Sequence, residues 1–375
     1  MFNLIKEDSK TKARLGTLTT DHGTIQTPIF MPVGTLATVK AVNQKDLIEK
    51  IKAQIILGNT YHLYLRPGNP TIKQAGGLHE FMKWDKPILT DSGGYQVFSL
   101  SGMRKLEEQG VTFKSHIDGS KHQFTPENVI QTERILGSDI MMVLDECPPW
   151  PSTYDYAKKS MGLTHRWALR CKKEFEATEG LYGHKQFLFG ISQGSTFKDL
   201  RIESAKAISD MGFDGNAIGG LSVGEPNEQM YEMTDYVTEV LDKKRPRYLM
   251  GVGTPADLLQ NVALGVDMFD CVMPTRNARN GMIFTPEGTV NLRNAKWKNH
   301  FKPLNEDFPT EICSHYDMAY IQHLVRANEI FGMMLASVHN LTFYLWLMEQ
   351  IREKIADGTY ADWYPGMMEK VSHRL

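Results

Sequence analysis

The chain has 375 residues, 41% of them hydrophobic and 23% charged, enough for one large core with an appended subdomain. Its formal net charge of −2 argues against nucleic-acid binding through bulk charge and leaves that role to local patches. Cys147, Cys171, Cys271 and Cys313 form no CxxC pair, which argues against a disulfide framework. Met1–Asp8 has no signal-peptide apolar region, and no apolar run is expected to reach the length of a membrane span, so the cytoplasm is the default expectation.

In chain order, the segment before Ile29 reads as a small N-terminal β-hairpin. Eight short apolar runs follow as strands: Ile29–Val33, Gln54–Leu57, Pro87–Thr90, Asp139–Leu144, Phe187–Ile191, Asn216–Gly219, Arg247–Gly251 and Val266–Asp270. Continuous apolar runs of this length suit strands buried on both faces of a parallel sheet. Helical patterns lie between several of them. Thr125-Pro126 is a cap-and-proline start, and Tyr154–Glu174, Thr196–Met211, Glu228–Leu241 and Pro255–Ala263 are expected helices. After Met318 the pattern is almost wholly helical to about Asp357. The count predicts an α/β fold, a closed (β/α)8 TIM barrel rather than a doubly wound open sheet, with the barrel core over residues 15–300 and a C-terminal helical subdomain over 301–357, all in a single domain, 1–375.

A barrel of this kind keeps its chemistry where the strands end. The residues there are Asn59, Asp91, Asp145, Gln193, Gly219-Gly220, Gly251-Val252-Gly253 and Asp270. One carboxylate can attack a sugar carbon while a second works as acid or base. Asp145 and Gln193 offer acceptors and donors to a flat polar ligand, Gly219-Gly220 admits close backbone approach, and Tyr95 and Met250 are placed to cover its two faces. Any one aspartate alone is as well explained as a cap, and Asp267 is read as structural. Gly251-Val252-Gly253-Thr254-Pro255-Ala256 fits either a phosphate-binding helix start or a plain βα turn, and taken alone it also resembles a dinucleotide fingerprint of a NAD-dependent oxidoreductase. From Met273 to Lys302 the chain carries Arg276, Arg279, Arg293, Lys296, Lys298 and Lys302 against Glu287 alone, with Trp297 interleaved, a pattern suited to an RNA-facing surface.

The segments Gly58–Leu63, Thr90–Ser99, Leu144–Cys147, Gly190–Gly194, Gly219–Glu225, Tyr248–Pro255 and Phe269–Arg279 resemble bacterial tRNA-guanine transglycosylases, collinearly over nearly the whole chain. The resemblance implies a homodimer that exchanges guanine 34, at the wobble position of GUN-anticodon tRNAs (Asp, Asn, His, Tyr), for preQ1 in queuosine biosynthesis. It implies a double displacement through a covalent ribosyl-enzyme, with Asp270 as nucleophile and Asp91 as general acid/base. Base binding then falls to Asp91, Ser92, Gly93, Gly94, Tyr95, Asp145, Gln193, Gly220, Leu221 and Met250. RNA binding falls to Gly251, Val252, Gly253, Thr254, Pro255, Ala256 and Asp257, and to Thr275, Arg276, Asn277, Ala278 and Arg279. Val223 and Cys147 favour preQ1 over queuine. No organic cofactor is implied. A catalytically silent tRNA-binding partner subunit is the alternative, against which the presence of Asp91, Asp145, Gln193 and Asp270 argues.

The family's zinc motif, CxCxxC with a histidine about 26 residues on, is degenerate here. The collinear positions are Phe308, Thr310, Cys313 and His339, so only two of the four ligands remain. His315, His323 and Asp307 have no spacing that argues for them as substitutes. The expectation is a zinc-free subdomain with Phe308 filling the space.

Overall fold

The computed structural model describes residues 2–100, 104–305 and 308–375. Asp307 lies outside them. Eight strands form one parallel sheet: β1 (Ile29–Met31), β2 (Ile56–Asn59), β3 (Ile88–Asp91), β4 (Ile140–Met142), β5 (Phe187–Ser192), β6 (Gly215–Ile218), β7 (Arg247–Leu249) and β8 (Met268–Asp270). β8 returns to β1, with Met268 opposite Ile29 and Asp270 opposite Met31. Closure between β1 and β2 is made just past β1, where Leu57 N donates to Pro32 O at 3.0 Å and Gly34 N donates to Leu57 O at 2.6 Å. The sheet is therefore a (β/α)8 barrel, and all eight expected strands are present with ends moved by at most two residues. Their continuous apolar character has the expected cause: Phe187–Ser192, for example, is buried at every position.

The connecting helices begin where the sequence places caps. Thr125 accepts from Asn128 N while the Asn128 side chain accepts from Thr125 N, and Gly137 ends that helix, Pro126–Leu136, at φ 70. Thr153 caps Tyr154–Ala177, and Thr254 caps Pro255–Ala263 with proline in the first turn. The outer ring continues with Lys198–Asp210 and Asn227–Val240.

Three features differ from the sequence reading. The N-terminal hairpin is a three-stranded antiparallel sheet, Phe2–Glu7, Arg14–Thr20 and Gly23–Thr27. It is pinned beneath the barrel by a buried ion pair of Arg14 with Asp267, which also accepts from Arg247 N at 2.7 Å; Asp267 is structural. A second antiparallel sheet, Arg104–Glu107, Gly110–Lys114 and Lys121–Phe124, is inserted after β3. Val111, Phe113 and Phe124 are its fully buried apolar residues, too sparse a pattern to stand out in a polar segment. A further helix, Tyr360–Ser372, follows Gly358, and Tyr360 donates to Leu259 O at 2.6 Å.

The helix Ile330–Asp357 is long and apolar enough to cross a membrane by length and composition, contrary to the expectation for the apolar runs. Apolar side chains along its middle serve the protein core. Leu341, Phe343, Tyr344, Leu347 and Met348 are buried, and Tyr344 packs edge-on against Phe30 of β1 at 4.7 Å.

Candidate active site

Asn59, Asp91, Asp145, Gln193, Gly220 and Asp270 sit at or just past the C-terminal ends of barrel strands, so topology alone gathers them at one mouth. Asn59 and Asp91 end neighbouring strands and are paired in register. Asp91 is buried. Its Oδ1 accepts from Thr60 N at 2.9 Å, and its Oδ2 accepts from the Asn59 amide and from Gln96 Nε2 at 3.0 Å. Burial raises its pKa to about 6; these donors oppose the rise, and the nearby charge of Asp270 adds to it. The two carboxylates thus feel each other without touching.

Asp270 is half-buried and held from one side. Tyr248 OH donates to Oδ1 at 2.6 Å, and Gly251 N donates to the same oxygen at 2.8 Å. Burial raises its pKa, and these two bonds lower it. With both donors on Oδ1, Oδ2 is the oxygen left to meet an electrophile.

The floor of the site is a polar chain. Gln193 Nε2 donates to Asp145 Oδ2 at 2.7 Å, and Ser92 Oγ donates to Asp145 Oδ1 at 3.4 Å. Burial raises the Asp145 pKa to about 6, against the bonds from Gln193 and Ser92. Gln193 Oε1 is buried with no hydrogen-bond partner, an acceptor in want of a donor. Gly220, at φ 64, lies against it: a Cβ there would meet Gln193 Oε1 at 2.2 Å. Gly94 is equally close to Asp145, whose carbonyl oxygen a Cβ would meet at 2.6 Å, and Gly93 has φ 79 in the same turn. Leu221 is buried beside Gly220, while Met250 is half-buried after β7. Tyr95 opens the helix Gly94–Leu100 and is 52% exposed, an unusual setting for an aromatic ring.

Sequence reasoning missed the residues that fix this floor. Arg201 is buried on Lys198–Asp210 and donates to the carbonyls of Ser195, Gly219 and Gly220 at 2.6, 2.7 and 2.9 Å. Burial lowers its pKa to about 10, so it stays charged at neutral pH. Glu225 accepts from Ser222 N and Val223 N, holding the loop beyond Leu221. A buried arginine on an amphipathic helix has no local signal in the chain.

The two segments expected to bind RNA are anchored from within. Gly251 is exposed and Thr254 and Ala256 are half-buried, but Val252, Gly253, Pro255 and Asp257 are buried. Asp257 accepts from Tyr231 OH at 2.6 Å and Asn227 Nδ2 at 3.2 Å, and Tyr344 OH donates to Gly253 O at 2.5 Å. Helix Met273–Arg279 leaves directly from β8. It exposes Arg276, half-exposes Asn277 and Arg279, and buries Thr275 and Ala278. The basic run beyond it is not one surface: the hairpin Met282–Thr285 and Gly288–Asn291 interrupts it, and Trp297 is a core residue packed with Ile283, Val290 and Ile321 rather than a free stacking ring.

The four zinc-motif positions do converge, but they do not fit the metal. Thr310 Oγ1 lies 2.7 Å from His339 Nδ1, and His339 Nε2 lies 2.8 Å from Phe284 O, so both ring nitrogens have partners. Cys313 Sγ is 3.8 Å from the same Nδ1, and Phe308 packs its ring against His339, Phe343 and Trp346. A hydroxyl and a phenyl ring stand where two thiolates would be required.

A family model described as queuine tRNA-ribosyltransferase matches residues 8–373. The queuine tRNA-ribosyltransferase of Caldanaerobacter subterraneus subsp. tengcongensis is 56% identical over 369 residues, covering 98% of this chain and 97% of its own. Those of Thermoanaerobacter pseudethanolicus and Ruminiclostridium cellulolyticum are each 55% identical, covering 100% and 96% of this chain and 98% and 95% of theirs. The barrel, its strand-end carboxylates and these matches agree, and the chain belongs to the queuine tRNA-ribosyltransferase family, enzymes that act as tRNA-guanine pentosyltransferases in queuosine synthesis.

Proposed function

We propose that this chain exchanges guanine 34 of GUN-anticodon tRNAs for preQ1 by double displacement. The wobble nucleotide leaves its stack, at a cost of about a few kcal/mol, to reach the barrel mouth. Asp270 Oδ2 attacks the ribose anomeric carbon, the N-glycosidic bond breaks, and guanine departs with a proton given by the Asp91 carboxyl. The RNA stays attached as a ribosyl ester. The incoming base gives up a proton to Asp91 and attacks the same carbon, releasing the carboxylate; two displacements retain configuration. One glycosidic bond replaces another, so the exchange balances without a redox partner.

The observation that carries this reading is the division of labour between the two strand-end aspartates. Asp270 is held by one oxygen, and Asp91 is poised near pH 6, where a carboxyl can both take and return a proton. The unpartnered Gln193 Oε1 supports a ligand rich in N–H donors, as guanine and preQ1 are. Ser92, Gly93 and Gly94 bring the Asp91 and Asp145 walls together, Tyr95 and Met250 cover the base, and the Leu221 carbonyl takes the aminomethyl group. Residues 251–257 and 275–279 carry the anticodon loop through backbone amides and Arg276, since most of their other side chains face inward. The enzyme works in the cytoplasm as a homodimer of one-domain chains; exposed Ile330, 71% accessible, and its neighbour Phe331 support a partner surface on the C-terminal subdomain.

The test is incorporation of labelled guanine into a GUN-anticodon tRNA, with Asp270→Ala as control. Incorporation that vanishes in the variant, and a denaturation-resistant enzyme–RNA adduct seen only with wild type, are expected. Folded wild-type protein that incorporates nothing would overturn the reading in favour of a silent tRNA-binding subunit.

A further inference from the structure

A second cluster of chemistry-bearing side chains lies at the opposite end of the barrel. His22 is in the turn joining Arg14–Thr20 to Gly23–Thr27, His79 is on the short helix Leu78–Met82 before β3, and His184 leads into β5. One ring nitrogen from each lies within 4.8 Å of one from each of the others, and all three residues are half-buried. No other group of three or more histidine, cysteine or acidic side chains is brought together in this way among the described residues.

Each imidazole is oriented through one nitrogen. His22 Nδ1 is 2.8 Å from Asp139 Oδ1, His79 Nε2 is 3.2 Å from Asp139 Oδ2 and 3.1 Å from Lys86 O, and His184 Nε2 is 3.0 Å from Gly137 O. That leaves Nε2 of His22 and Nδ1 of His79 and His184 available to a ligand. Metal-binding histidines almost always spend the second nitrogen on a carboxylate or a carbonyl in this manner. Asp139 is itself fixed, because it also accepts from Ile88 N at 2.9 Å at the start of β3.

The rings of His22 and His79 are stacked at 3.6 Å, with His184 edge-on to His22 at 4.6 Å. Tetrahedral zinc, with Zn–N bonds of about 2.0–2.1 Å, sets its nitrogens about 3.3 Å apart. The ring nitrogens, up to 4.8 Å apart, therefore have to draw closer, and the stacked pair has to turn so that its unbonded nitrogens converge. A turn residue and a five-residue helix are able to give that much.

We propose that His22, His79 and His184 form a binding site for a divalent transition metal of the zinc type at the N-terminal face of the barrel, with Asp139 orienting two of the ligands. Three imidazoles without a thiolate suit zinc, cobalt or nickel, with a solvent molecule in the fourth position. The site joins the N-terminal sheet to the starts of β3, β4 and β5. Its role is to staple the fold, because the chemistry is at the other mouth.

The experiment uses the full-length chain, stripped with a chelator and titrated with Zn2+ by calorimetry and with Co2+ by visible absorption. Wild type is expected to take up one equivalent, to melt at higher temperature with zinc, and to show the visible bands of tetrahedral cobalt. His22→Gln and His184→Gln, folded by circular dichroism, are expected to lose the equivalent and the thermal shift. Cys313→Ser, at the degenerate zinc motif, is expected to keep both. Absence of stoichiometric binding by folded wild type would overturn the proposal, as would binding that survives both histidine variants or disappears with Cys313→Ser.

Discussion

Gly220→Ala is the sharpest perturbation of the proposed base-binding floor. The added Cβ meets Gln193 Oε1 at 2.2 Å, and the residue must keep φ 64. An alanine in that left-handed region costs about 1–2 kcal/mol. The clash has to be relieved by the Gln193 carboxamide, because Arg201 holds the Gly219 and Gly220 carbonyls in place. Moving the carboxamide breaks its 2.7 Å bond to Asp145. A hydrogen bond to a charged group contributes about 1.5–3 kcal/mol, which is roughly a 10- to 150-fold loss in kcat/KM. Without that donor the Asp145 pKa rises further above about 6, adding to the loss at neutral pH. The backbone strain appears in stability and the lost bond in KM for the base. Steady-state guanine incorporation at several base concentrations, alongside urea unfolding, separates the two. A folded variant whose kcat/KM stays within about twofold of wild type would refute the role of Gln193 in base binding.

Three further outcomes follow from the same geometry. Asp91 and Asp145 have pKa values raised to about 6, so kcat/KM for the incoming base, the step in which Asp91 accepts a proton, is expected to fall as pH drops through about 6 and their charges are lost; a flat profile from about pH 5 to 7.5 would contradict this. The stability term has the opposite sign: the folded state binds more protons than the unfolded one between about 4 and 6, so the contribution of these groups is present below that window and lost as pH rises through it. Tyr248→Phe removes a donor from Asp270 and should slow single-turnover adduct formation roughly 10- to 150-fold, with the acid limb of the profile moved to higher pH; an unchanged rate would show that the hydroxyl does not tune the carboxylate. Phe308→Cys with Thr310→Cys completes a four-ligand set around Cys313 and His339, whose 3.8 Å separation is near the roughly 3.5 Å of zinc-bound S and N, and should bind one zinc more than wild type by metal analysis.

Much of the catalytic end was legible because its signals are local. A buried parallel strand announces itself as a short apolar run, and the polar residue that ends it must lie at the barrel mouth. Asp91, Asp145, Gln193 and Asp270 could therefore be read in order along the chain, and the capped helices at Thr125 and Thr254 could be read the same way. What joins distant segments was not legible. Arg201 bracing Gly219 and Gly220, Tyr248 holding Asp270, and Asp139 gathering His22 and His79 from two distant segments depend on which elements the barrel makes neighbours. Nor does a basic run reveal that Trp297 is taken into the core, or that Thr310 occupies His339 where a thiolate would stand. Periodicity records the environment a side chain needs, whereas its partner is chosen by chain closure, and only the folded barrel decides that.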